Sequence, residues 1–361
     1  MSPPPPEPGF STASDRAACR EAIRSGSRTF HAASLILPAA VRDPALSLYA
    51  FCRLADDAID ESGEPETALV ALRQRLGLAY AGRPIDVAAD RALADVVARF
   101  SIPRAIPEAL LEGFGWDAGC RRYEDLPELL AYATRVAGTV GVMMALLMGA
   151  RSAPALARAA DLGAAMQLSN IARDVGEDAR AGRLYLPLAW LRAAGVDPEG
   201  FLANPVFGPG VAAVVESLLQ SAALLYQRAA AGVAALPPRC RPAIHAARLM
   251  YAEIGHEVAR AGCDSVTRRA VVPASRKAAL LARALAAAAR RGDSVSAPAI
   301  PEAQFLLDAV ADFDAQHEVR ERASTVHGMT AKRQLVWTLE LFERLERLER
   351  LERGPRASQP G

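Results

Sequence analysis

The stretch "NIARDVGEDARAGRLYLP", Asn170 to Pro187, sets Asn170, Asp174 and Asp178 at steps of four along a run that reads as helix. Residues at i and i+4 share one face of an α-helix. Asn and Asp are poor helix formers, since their short side chains compete for backbone hydrogen bonds. Upstream, Gln167 stands three residues before Asn170 and extends the polar stripe, with Met166, Leu168, Ile171 and Val175 beside it. Such a face is either solvated surface or a polar site set into an apolar core.

A second stretch has the same build. In "LYAFCRLADDAID" (48–60), Tyr49, Arg53, Asp56 and Asp60 step by four, three and four, among Leu48, Phe51, Cys52, Ala55 and Ile59. Hard divalent cations take oxygen ligands, and one or two carboxylates plus a substrate's phosphates suffice for magnesium. The spacing alone decides nothing, because Asp86/Asp90 and Asp308/Asp312 repeat it. Asp86/Asp90 follows "AGRP" and reads as helix-start compensation. Asp308/Asp312, with Gln304 before it, lies among Asp314, Gln316 and Glu318 and reads as a solvated face. Carboxylates on a core-facing helix are costly unless paired or bound to a metal. Two stripes therefore predict two helices facing each other across one cavity. The rival is a structural salt-bridge network with Arg53 and Arg173.

The surroundings are helical throughout. Ala, Leu, Arg and Glu dominate, alternating strand patterns are absent, and helices are expected near 14–25, 43–61, 66–80, 88–100, 104–121, 127–150, 153–180, 208–235, 239–263 and 274–291. Residues 14–293 read as one all-α domain, preceded by a disordered Pro-rich leader (1–13) with no signal-peptide pattern. Residues 294–361 read as a linker and helical appendage, ending in "FERLERLERLERGPR". There Leu345, Leu348 and Leu351 drift around the helix, which suits a solvated terminus or a coiled-coil or membrane-surface role.

Composition excludes several classes. A net charge of +1, with Lys277 and Lys332 the only lysines, gives no footprint for nucleic acid. Five scattered cysteines without C-x-x-C spacing point to a reducing compartment and away from zinc. Glu253-x-x-His256 has the spacing of a di-iron bundle but lacks its second copy. No G-x-S-x-G, Walker or dinucleotide loop occurs, so no NADPH use is expected. The uncharged run "VAGTVGVMMALLMGA" (136–150) is short for a membrane span and reads as a buried core helix.

Five segments, "SRTFHAASLILP" (27–38), "LYAFCRLADDAID", "YATRVAGTVGVMM" (132–144), "QLSNIARDVGEDARAGRLYLP" (167–187) and "RLMYAEIGHEV" with "RRAVVPASRK" (248–277), resemble in kind and order the motifs of the squalene/phytoene synthase family, nearest to its bacterial phytoene-forming members. The resemblance implies an all-α isoprenoid synthase bundle around a central apolar cavity, and head-to-head joining of two geranylgeranyl diphosphates. It implies that Asp56, Asp60, Asp174 and Asp178 hold Mg2+ or Mn2+ with substrate diphosphate, and that Gln167 and Asn170 accompany the second motif. It further implies that Arg53, Arg276 and Lys277 hold diphosphate, and that Ser27, Thr29 and Phe30 form an N-terminal flap. Tyr49, Tyr185 and Tyr251 match aromatic positions near the reacting centre. Gly138 and Gly141, with Met143, Met144 and Met148, are expected in the cavity wall. A farnesyl-using squalene or dehydrosqualene synthase and a non-catalytic helical assembly factor are the alternatives. The location expected is cytoplasmic, with transient contact at the inner membrane face because the product is so apolar.

Overall fold

A computed structural model describes residues 9–26, 34–60, 63–289 and 297–327. Among them no β-strand occurs, and helix follows helix: α1 (Ala13–Gly26), α2 (Ala39–Asp60), α3 (Pro65–Tyr80), α4 (Ala88–Arg99), α5 (Ala105–Ala118), α6 (Leu126–Ala133), α7 (Thr139–Leu147), α8 (Ala153–Arg180), α9 (Leu188–Ala193), α10 (Pro198–Ala203), α11 (Pro209–Gly232), α12 (Arg241–Arg260), α13 (Ala274–Ala288) and α14 (Gln304–His327). The expected all-α architecture is therefore observed. The short α9 and α10 were not expected; α14 falls in the stretch read as a linker and helical appendage.

Residues 10–12, at the end of the stretch read as a leader, are tied to the fold. Phe10 and Ser11 donate their backbone N–H groups to the Asp95 carboxylate at 2.7 and 2.9 Å. Thr12 and Asp15 then cap α1 reciprocally, with Asp15 N–H on Thr12 Oγ1 at 3.1 Å and Thr12 N–H on Asp15 Oδ2 at 2.8 Å. Asp90, read above as helix-start compensation, is fully buried and bridged to Arg75 at 2.5 Å.

Helix α8 is the spine. Its buried face is mostly Ala and Gly, including Ala157, Ala160, Gly163, Ala164 and Ala172. Small residues let neighbouring backbones come close. A Cβ on Gly163 would lie 2.1 Å from the Ala137 carbonyl oxygen, and one on Gly141 would lie 2.2 Å from that of Ala159. Between α6 and α7 the chain makes a π-helical turn, Thr134–Gly138, closed by the Thr139 N–H on the Thr134 carbonyl. Such turns widen a helix locally and are frequent at functional sites.

The run expected to be too short for a membrane span belongs to a longer apolar stretch. Leu126–Leu147 and Pro209–Ala235 both reach spanning length by composition, and 56% of the first one's apolar window is buried inside the protein. Both stretches contribute to the hydrophobic core clusters.

The compact unit runs to Val310, later than the boundary expected at 293. Ala303, Leu306, Leu307 and Val310 join the core, and the guanidinium groups of Arg158 and Arg228 donate to the Pro298 carbonyl at 2.9 and 2.7 Å. Those anchors capture a segment that reads locally as linker. The second unit, from Ala311, is helical to His327, with the Phe313 and His317 rings in edge contact at 4.5 Å. The Leu345–Leu351 repeat lies outside the described residues.

Two substitutions separate close packing from helix propensity. Gly141→Ala pushes a methyl into backbone and is expected to cost about 1–3 kcal/mol. Gly77→Ala, whose Cβ meets only the Arg104 side chain at 3.6 Å, is expected to stabilise α3 by about 0.5–1 kcal/mol. Thermal or urea unfolding reads both signs.

Candidate active site

The bundle encloses an apolar cavity of about 520 Å³. Helix α2 lines it with Tyr49, Cys52, Arg53 and Asp56, and α8 with Met166, Gln167 and Asn170. The two stripes thus reach one cavity, as their spacing predicts. Tyr251 of α12 also lines it. Met144 and Met148 are in the wall with Val140 and Gly141, whereas Met143 is turned away and buried in the core.

Asp174 and Asp178 stand one and two turns beyond Asn170, outside the cavity proper. Burial pushes the Asp174 carboxyl up, but forked hydrogen bonds from Arg173 (2.7 and 2.5 Å) and Arg269 (2.7 and 3.2 Å) outweigh it and hold the pKa below its usual value. Asp178 has the opposite balance. Burial, then the negative charge of Asp174, raise it to about 7, with Arg183 opposing. The salt-bridge network imagined for these stripes exists in part, since Arg53 also meets Asp57 at 2.7 Å and Asp56 at 3.7 Å.

A smaller pocket beside Asp174 gathers Arg173, Arg269 and Lys277 with Met250, Ile254 and Val272. Arg269 arrives there on the loop after α12. That loop is pinned by the Gly176 N–H on the Ser265 carbonyl at 2.9 Å and by Arg180 on the Val266 carbonyl at 3.2 Å. Sequence reasoning takes Arg173 only as a salt-bridge partner and does not single out Arg269, although "ARD" and "RRAVVP" carry them. Arg276, expected at the diphosphate, donates here to the buried Glu253 at 2.8 Å. Glu253 also holds Arg260 at 2.6 Å and His256 at 3.2 Å, which is what the Glu-x-x-His spacing does here.

Asp117 of α5 is the residue that sequence reasoning missed. It lines the cavity, accepts from Tyr185 Oη at 2.7 Å and from Tyr132 Oη at 2.8 Å, and carries the two rings against each other with centroids 5.3 Å apart. Burial raises its carboxyl to about 6; the two phenols and Arg183 oppose, and Asp56 adds to the rise. Asp117 in turn raises Asp178, so this carboxylate is electrostatically joined to both motifs. Tyr185 therefore meets the site through Asp117. Tyr49 and Tyr251 are both raised chiefly by burial; Arg53 opposes at Tyr49, and Tyr49 adds to the rise at Tyr251.

Ser27, Thr29 and Phe30 lie outside the described residues, as does the Asp60 side chain at the end of α2. Among the described residues no three carboxylates, histidines or cysteines come together as a ready-made metal cage. The donor chemistry nevertheless suits a hard cation. Several carboxylates repel one another at one mouth, and magnesium asks only one or two of them when phosphate supplies the rest.

Asp117 gives a stability test. A carboxyl whose folded pKa exceeds its unfolded value binds its proton more tightly when folded. Its contribution is intact below about 3.8 and is lost as pH rises through about 6. Asp117→Asn removes the ionisation, so its Tm relative to the parent is expected to climb between pH 4 and 7 by several degrees, at ~2–4 °C per kcal/mol. A flat difference across that range would contradict the burial assigned to Asp117.

Comparison with known proteins agrees with this geometry. A sequence model described as squalene/phytoene synthase matches residues 23–276. A phytoene synthase of Rhodobacter capsulatus is 53% identical over 85% of this chain and 93% of its own. One from Cereibacter sphaeroides is 51% identical over 82% and 88%. The crystal structure of a dehydrosqualene synthase in complex with ligand superposes with a TM-score of 0.69 at 31% identity, covering 76% of this chain and 96% of that one. With its helical bundle, its carboxylate stripes and this match over most of its length, the chain belongs to the squalene/phytoene synthase family.

Proposed function

We propose that this prenyltransferase joins two geranylgeranyl diphosphates head to head to give phytoene, the step that commits prenyl chains to carotenoids. The observation that carries the reading is one apolar cavity whose mouth is ringed by carboxylates and arginines while its walls are Val, Ala, Leu and Met. Relatives named phytoene synthase at 51–53% identity support the product.

Asp56 and Asp60 on α2 and Asp174 and Asp178 on α8 would hold the divalent ion, magnesium or manganese, together with substrate diphosphate. When bound, it neutralises phosphate charge and so makes diphosphate a leaving group. Arg53, Arg173, Arg269 and Lys277 supply fixed positive charge to the same oxygens. Arg173 and Arg269 now fork onto Asp174, and in this reading they exchange that carboxylate for phosphate as substrate arrives. Arg276 acts through Glu253, holding α13 to α12.

The first diphosphate departs to leave an allylic cation. The second substrate's double bond attacks it, and loss of a proton closes a cyclopropane that still carries one diphosphate. Departure of that group and ring rearrangement lead to a second proton loss, which leaves the central conjugated triene of phytoene. Each half-reaction thus releases one diphosphate and one proton, and none needs a reductant. Asp117, which lines the cavity with Tyr132 and accepts from Tyr132 and Tyr185, is the proton-accepting group in this reading, with Tyr49 and Tyr251 presenting aromatic faces to the cations. Gln167 and Asn170 mark the border between polar mouth and apolar interior. Water would quench the cations, so the interior must stay dry. The same apolarity of product leads us to place the enzyme in the cytoplasm with transient contact at the inner membrane face.

Purified protein with geranylgeranyl diphosphate and magnesium, without NADPH, is expected to give phytoene by mass spectrometry. EDTA should abolish turnover, and Asp56→Ala or Asp174→Ala should lower kcat by at least ~100-fold, the scale of losing one electrostatic transition-state contact. Reaction of farnesyl diphosphate alone would move the assignment to a squalene or dehydrosqualene synthase. Diphosphate release from neither substrate would favour the helical assembly factor.

A further inference from the structure

Arg158 is an unexpected residue to find in the wall of a hydrocarbon cavity. It lies on α8 with its side chain 2% exposed, and lines the cavity together with Ala155, Ala159, Gly232, Val233 and Leu236. Its neighbours satisfy it only in part. Nη2 donates to the Pro298 carbonyl at 2.9 Å, and Nε stands 2.8 Å from Asp161 Oδ2 without hydrogen-bond alignment. Nε and Nη1 have no hydrogen-bond acceptor. Asp161 already has another cation, Arg228, whose Nε donates to it at 3.0 Å. One buried carboxylate therefore faces two guanidinium groups, and the positive charge of Arg158 is surplus. Gly232 makes the room: a Cβ there would fall 2.2 Å from the Cβ of Arg158.

Position gives this charge a use. Asn170 marks the polar end of the cavity, and about 18 Å of helix axis separates it from Arg158 at ~1.5 Å per residue. An extended carbon chain advances ~1.2 Å per bond, as a polypeptide does, so a four-bond isoprene unit covers roughly 5 Å. Four units span the distance between Asn170 and Arg158; three stop short and five overrun. We propose that Arg158 gauges the far end of the prenyl chain and sets the substrate length that this cavity takes, a role that rests on the prenyl diphosphate reading above.

The physics is that of a buried cation with unpaired donors. The last double bond of a four-unit chain offers it a π face, the kind of surface that attracts a guanidinium over an aromatic ring. A fifth unit has to run past this point and packs its methyl and methylene groups over donors that then have no acceptor, which is the costly arrangement. Removing the charge leaves Asp161 paired one-to-one with Arg228, so the floor can become neutral without orphaning a carboxylate.

The test compares kcat/KM for the C15, C20 and C25 prenyl diphosphates in the wild type, Arg158→Met and Leu236→Ala, each checked for folding by circular dichroism. The Met variant keeps side-chain length without charge, and the Ala variant adds room while keeping the charge. The C25-to-C20 ratio is expected to rise at least ~10-fold in Arg158→Met, the discrimination carried by about one methylene-sized contact, and to move much less in Leu236→Ala. A ratio that rises only in Leu236→Ala, or in neither, overturns the gauge. The wild type alone supplies a second readout that needs no variant to fold. An analogue with only the last double bond of the C20 substrate saturated should raise KM and leave kcat unchanged, because the reacting end is intact. Equal KM for the two would overturn the proposal. If the wild type turns over none of the three diphosphates, the functional reading itself fails and takes the gauge with it.

Discussion

Everything in this bundle follows from the cost of keeping carboxylates ionised between helices. Low dielectric penalises each charge, and like charges sharing a mouth penalise one another. Asp174 escapes by taking two arginine forks, whereas Asp178 and Asp117 do not and are held near neutral pH instead. A mouth balanced in this way accepts a cation readily and holds arginines that can be handed to an anion. An ion-bound diphosphate supplies both at once, which is why the residues form one site although α2, α5, α8 and the loop after α12 each bring only part of it.

The cavity behind the mouth obeys the complementary rule. Its walls come from helices brought close by Gly141 and Gly163, so that backbone and small side chains leave a long apolar space where larger residues would fill it. The π-turn at Thr134–Gly138 adds Val136 and Ala137 to that wall directly after Tyr132, and so puts a phenol at the border of wet and dry. Arg158 interrupts the apolar lining at the opposite end. A cavity that is polar at both ends and greasy between has a defined length, and a prenyl diphosphate has one too.

How much of this could be read from the chain depends on distance along it. Asp56, Gln167 and Asn170 were legible because an i, i+3, i+4 rule is local, and the same rule found the helices that carry them. Asp117 was not, since it sits alone in "GFGWDAGC" and its tyrosine partners are 15 and 68 residues away. The Arg269 fork on Asp174 spans 95 residues and was equally silent. Arg276 shows a different limit: a motif position names its role, but its partner in this structure, the buried Glu253, stands 23 residues away. Residues 297–303 have linker composition, and two guanidinium groups on the Pro298 carbonyl, with the buried Ala303 and the leucines after it, tie them to the core. Among the methionines the motif could name the helix but not the face, so Met144 and Met148 reach the cavity while Met143 does not.

The central claim is that the two aspartate stripes act as a single ion-and-diphosphate site. Manganese binding to the full chain, followed by electron paramagnetic resonance with and without inorganic diphosphate, tests it without any turnover. The account predicts tight manganese binding only when diphosphate is present, and loss of that binding in Asp56→Ala and in Asp174→Ala alike. Binding that survives either substitution, or that ignores diphosphate, would contradict a shared site.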